Sequence, residues 1–84
     1  MNETKILKFH ATWCNPCKAL SKVLEEVDMK MPVEAVDVDQ FQDKVKEFQI
    51  RSVPTLVALV DGKEVSRISG SQTAAQLNMW RASF

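Results

Sequence analysis

The chemistry in this chain of 84 residues centres on Cys14-Asn15-Pro16-Cys17, which contains both of its cysteines. Paired thiols at this spacing serve either metal binding or thiol–disulfide exchange. A four-thiolate zinc site needs a second pair, and the sequence has none; with His10, the single histidine, only three good ligands exist. No metal site is expected. One bridge is also too few for a disulfide scaffold, since small secreted folds carry about two to four. A redox pair remains.

The surrounding pattern fits that use. Residues 5–10, Lys-Ile-Leu-Lys-Phe-His, carry apolar side chains on both parities and read as a strand inside a sheet. Residues 15 to about 28 read as a helix. Cys17, Leu20, Leu24 and Val27 form its apolar stripe, with Lys18, Lys22, Glu25 and Glu26 on the wet side. Pro16 falls in the first turn, where a missing N–H is harmless. Residues 33–38 form a second strand, and 43–48 a short helix with Val45 and Phe48 turned inward. Residues 55–60 form a buried strand. Asp61-Gly62 is a hairpin signal, so 65–69 returns antiparallel. Thr73 and Gln76 suggest a capping box for a last helix to about residue 82, with Ala74, Leu77 and Trp80 as its inner stripe. The expected fold class is α/β. The order is βαβαββα, giving one domain over 1–84 with a four-stranded mixed sheet and three helices.

Within this frame Cys14 precedes a helix and Cys17 lies in its first turn, close enough to bridge without moving the backbone. Free N–H groups and the helix dipole favour a thiolate at Cys14. Cys17 lies on the apolar stripe and should be covered. That asymmetry makes Cys14 the attacking thiol and Cys17 the resolving one. A Cys pair between strand and helix in a βαβ pattern is the arrangement of a redox motif.

Trp13-Cys14-Asn15-Pro16-Cys17-Lys18 resembles the active-site motif of thioredoxins, and Phe9-His10-Ala11-Thr12 resembles the strand end before it. Ile50-Arg51-Ser52-Val53-Pro54-Thr55-Leu56 resembles the family's cis-proline segment, Asp61-Gly62-Lys63 its hairpin, and Gly70 the glycine after its last strand. The resemblance runs from about residue 5 onward, without the leading strand and helix of full-length members. It implies a thioredoxin-like fold and a thiol–disulfide oxidoreductase reducing protein disulfides. Cys14 and Cys17 would be catalytic. Trp13 would offer a flat apolar contact, and Val53, cis-Pro54, Ser69, Gly70 and Ser71 would edge a substrate groove. Asn15 and Pro16 would tune the potential.

Two positions depart from the family. Lys8 stands where a buried acid is usual, with Ala35 where its partner lysine would be. Asn15 stands where glycine is usual. The Lys8 stem should pack beneath the helix, its ammonium either paired with Glu34 or Asp37 or snorkelling toward the sheet edge; left unpaired near the thiols, the charge would favour their thiolates. His10 could shuttle protons, although packing is the simpler role. Met29, Met31 and Met79 are expected gap fillers.

Eleven basic residues balance eleven acidic ones, which removes the surplus a nucleic-acid binder needs. No apolar run approaches the ~20 residues of a membrane helix, and the polar start is unlike a secretory signal. The expectation is a cytoplasmic monomer with no cofactor beyond its redox-active disulfide. Its partners would be disulfide-bearing proteins and a thioredoxin reductase or similar recycling enzyme. A glutathione-dependent glutaredoxin is the alternative, but Ser69-Gly70-Ser71-Gln72-Thr73 lacks the glycine pair and acid of its glutathione site. A binding subunit without redox cycling is another.

Overall fold

The computed structural model describes residues 3–84. The elements follow one another as β1 (Thr4–His10), α1 (Asn15–Glu26), β2 (Val33–Asp37), α2 (Gln42–Glu47), β3 (Thr55–Val60), β4 (Lys63–Ser69) and α3 (Ala74–Arg81). They make a four-stranded sheet in the order β2-β1-β3-β4. β1 pairs with β2 in parallel, while β3 runs antiparallel to both β1 and β4. The mixed sheet and the central place of β1 match the sequence expectation.

Strand alternation divides the core. Ile6 of β1 and Leu56 and Ala58 of β3 face α1 and α3, where they meet Leu20, Leu77 and Trp80. Leu7 and Phe9 of β1, with Val57 and Leu59 of β3, face the other side, against Val45, Phe48 and Ile50. Both parities of β1 and β3 are therefore apolar because helices cover both faces. Trp80 is core, and its indole N–H donates to Ser66 Oγ at 2.9 Å. Met79 is instead 75% exposed: it lies one residue off the Leu77–Trp80 stripe and fills no gap.

The ends are set locally. α1 stops at Glu26, slightly earlier than the periodicity indicates, because Val27 turns extended (φ −114°, ψ 126°) and buries its side chain. The hairpin turn uses positive φ at Asp61 (51°) and Gly62 (82°), the pattern that matches the twist of the flanking strands. α3 begins with the anticipated capping box, Thr73 Oγ1 accepting from Gln76 N–H and Gln76 Oε1 from Thr73 N–H. No helix among the described residues is long and apolar enough to cross a membrane.

Candidate functional site

The end of β1 delivers the chain to the start of α1, and the two cysteines sit at that junction. Cys14 is the N-cap residue, with extended backbone (φ −93°, ψ 107°). Its N–H donates to the Ala11 carbonyl at 3.2 Å and its carbonyl accepts from Lys18 N–H at 3.3 Å. The Cys17 N–H points back and donates to Cys14 Sγ at 3.1 Å. Pro16, in the first turn, leaves no helical bond unmade. The two Cα atoms are 5.3 Å apart and the sulfurs form a disulfide.

One expectation fails here. Burial does not distinguish the two thiols, since Cys14 is 4% and Cys17 3% exposed. Both pack with Ala11 in one cluster, flanked by Val38 and Val53. The difference between them is electrostatic. Cys14 Sγ occupies the capping position at the positive end of α1 and receives a backbone N–H. A sulfur so placed is better stabilised as a thiolate.

The segment before β3 closes over the pair. The Val53–Pro54 peptide is cis, and Pro54 is fully buried. The Pro54 carbonyl accepts from Gly70 N–H at 2.9 Å. Thr55 Oγ1 donates to the Ser52 carbonyl at 2.8 Å and lies 3.2 Å from Ser69 Oγ. Ser69 and Gly70 therefore hold this turn from the β4 side. Gly70 needs its freedom for a φ of 84°; an added Cβ would meet nothing within 4 Å. Among the described residues, Val53 makes no backbone hydrogen bond, so its N–H and C=O are free for an extended segment.

Trp13 stands beside the disulfide, 68% exposed, with its indole N–H donating to Asp39 Oδ2 at 3.0 Å. Between Trp13 and Val53 lies an open depression of about 350 Å³, floored by Val38, Val45 and Ile50 and flanked by Arg51. Ser69 and Gly70 do not line it. Ser69 borders a second depression with Arg67, whose guanidinium grips Glu64 and donates to the Phe48 carbonyl at 2.7 Å. Arg67 thereby fixes the start of the 49–54 loop. Hydrogen bonding to Arg67 holds the Glu64 carboxyl below its usual range.

Lys8 lies on the α1 side of the sheet and is half-buried. Neither candidate carboxylate pairs with it. Glu34 lies 3.8 Å from Lys5 instead, and Asp37 Oδ1 accepts from Asp39 N–H. Lys8 Nζ donates to Ser21 Oγ at 2.9 Å. His10 is half-buried with no side-chain hydrogen bond among the described residues, and Asn15 and Pro16 are exposed. Asp39 and Ser21 were not singled out from sequence. Each meets its partner across a gap in sequence, 26 residues for Asp39 and Trp13 and 13 for Ser21 and Lys8, which no local pattern announces. Among the described residues, no group of three or more His, Cys, Asp or Glu converges as a metal site requires.

Comparison with known proteins agrees with this geometry. A family model described as thioredoxin matches residues 1–83. A thioredoxin of Mycobacterium tuberculosis is 39% identical over 80 residues, spanning 90% of this chain and 69% of that protein. A bifunctional thioredoxin reductase/thioredoxin of Mycobacterium leprae is 38% identical over 80 residues, 90% of this chain and 18% of its own length. Among solved structures, a mutant thioredoxin from Halobacterium salinarum superposes with a TM-score of 0.84 at 32% identity, covering 96% of this chain and 74% of that one.

Proposed function

The chain belongs to the thioredoxin family and is a thiol–disulfide oxidoreductase; on that premise we propose that it reduces protein disulfides, with Cys14 attacking and Cys17 resolving. The observation that carries the order is the Cys17 N–H donated to Cys14 Sγ at the N-cap of α1.

In the reduced protein the Cys14 thiolate attacks one sulfur of a substrate disulfide. The substrate's other sulfur leaves as a thiolate and takes a proton from water. Cys17 then loses its proton and attacks Cys14 Sγ, and the second substrate sulfur departs. Two electrons have passed to the substrate, and the protein is left with the Cys14–Cys17 disulfide of this structure. No cofactor takes part.

The substrate segment lies extended across the site. Val53, preceding Pro54, offers its free N–H and C=O, and Trp13 supplies an apolar wall. Asn15 and Pro16, between the cysteines, tune the potential. Ser69 and Gly70 act by holding the Pro54 turn. Recycling falls to a thioredoxin reductase, a reading supported by the relative that carries both activities in its name. A dithiol reductase works where its disulfide can be kept reduced, and that requirement supports a cytoplasmic location.

The test is reduction of a disulfide-linked protein such as insulin under two recycling systems. Turnover is expected with NADPH and thioredoxin reductase. Turnover only with glutathione and glutathione reductase would reject this reading in favour of a glutaredoxin-like one.

A further inference from the structure

Resolution requires Cys17 to lose a proton in a site where both sulfurs are buried. Among the described residues, no carboxylate lies beneath it on β1 or at the positions paired with Lys8. The sheet positions facing α1 along β1 are Ile6, Lys8 and His10, and the strand neighbours of Lys8 are Ala35 and Leu56. Lys8 sends its ammonium to Ser21 Oγ, 2.9 Å away. Ser21 follows Cys17 by four residues on α1, so the two side chains share a face one turn apart, with Cβ atoms about 5–6 Å from each other. The ammonium is therefore on the order of 7 Å from the Cys17 sulfur. It is half-buried and lacks an acidic partner among the described residues.

We propose that Lys8, held in place by Ser21, is the positioning residue that makes Cys17 acidic enough to resolve the mixed disulfide. Cys17 releases its proton to water, and the Lys8 charge stabilises the thiolate left behind. That thiolate forms the bond to Cys14 Sγ as the bond from Cys14 to the substrate sulfur breaks. The cation takes no proton and makes no covalent bond.

At this range, through an effective dielectric of about 20, a unit charge moves a thiol by between one and two pKa units. Partial exposure selects the lower figure, about tenfold in thiolate. A less basic sulfur is also a poorer nucleophile, with a Brønsted slope of about 0.4–0.5, so the net gain in resolution rate is about threefold. The remaining ionisable groups on β1, α1, β2 and the loops beside the sulfurs are Lys5, His10, Lys18, Lys22, Glu25, Glu26, Glu34, Asp37, Asp39 and Arg51. None of them hydrogen-bonds Ser21. Removing Lys8 or Ser21 leaves them all in place.

This rests on the proposed roles of Cys14 and Cys17, and the test separates the two. The reduced protein is mixed with an aromatic disulfide whose released thiol absorbs visible light. A first phase reports attack by Cys14 and a second reports resolution by Cys17. Lys8→Met should slow the second phase about threefold near neutral pH and leave the first nearly unchanged. The second thiol should titrate about one unit higher. At a pH where both thiols are ionised, the reduction potential should fall by about 30 mV, the tenfold expressed for a two-electron couple. Lys8→Arg should restore all three quantities, and Ser21→Ala should move them in the Lys8→Met direction by less. If Lys8→Met fails to fold, Ser21→Ala against wild type carries the test. An unchanged second phase and titration in the folded variants would overturn the proposal. Two-phase release that persists with Cys17 removed would instead overturn the underlying roles.

Discussion

Acid should loosen the molecule at one identifiable place, the junction of β4 with the end of α2. Arg67 grips Glu64 three residues away and donates to the carbonyl of Phe48, the C-cap residue of α2. The Glu64 carboxyl is held below the usual glutamate value chiefly by its hydrogen bond to Arg67; burial opposes this, and the guanidinium charge adds a lesser lowering. A folded pKa below the unfolded one gives stability that is present above the unfolded value, near pH 4, and lost as pH falls through the folded value. The two side chains are 35% and 31% exposed, so solvent screening limits the pair to about 1 kcal/mol. In a domain of this size that is a melting shift of about 4–8 °C. Glu64→Gln keeps the shape and removes the charge. Thermal unfolding of both proteins should show the gap at pH 7 and its closure at acidic pH, as the wild-type carboxyl takes up its own proton below the unfolded value. A gap of equal size at both pH values, or none at neutral pH, would refute the reasoning.

Two further outcomes follow from the packing and the groove. Leu77 is fully buried where α3 meets the sheet, so Leu77→Ala should cost about 2–5 kcal/mol, read as a lower urea midpoint, which is a large share of the stability of so small a domain. Trp13→Ala should raise KM for a protein substrate about five- to tenfold and leave reduction of a small aromatic disulfide unchanged, because the exposed indole is a wall of the groove and not part of the exchange.

What the sequence disclosed was what local pattern encodes. The apolar parities of β1 and β3 placed them inside the sheet, Asp61-Gly62 marked the hairpin, and Thr73 with Gln76 marked the start of α3. The redox pair was legible because Cys14 and Cys17 fall at a strand-to-helix junction. Long-range partners were not. Trp13 meets Asp39 and Lys8 meets Ser21 only after the sheet brings β2 and α1 beside β1. The burial argument for Cys17 failed for a related reason. The helical stripe correctly covered Cys17, but nothing local to Cys14 shows that Ala11 and Val53 cover that residue as well. Exposed Met79 illustrates the limit of composition, since residue type suggested a filler where helical phase turns the side chain outward.

The central claim is that Cys14 attacks and Cys17 resolves, and trapping tests it most directly. Cys17→Ser and Cys14→Ser are each reduced, exposed to a disulfide-linked protein and separated without reductant. With its N-cap sulfur intact, Cys17→Ser should accumulate a stable mixed disulfide at Cys14, while Cys14→Ser should accumulate none. Equal trapping by both variants, or trapping by Cys14→Ser alone, would contradict the account.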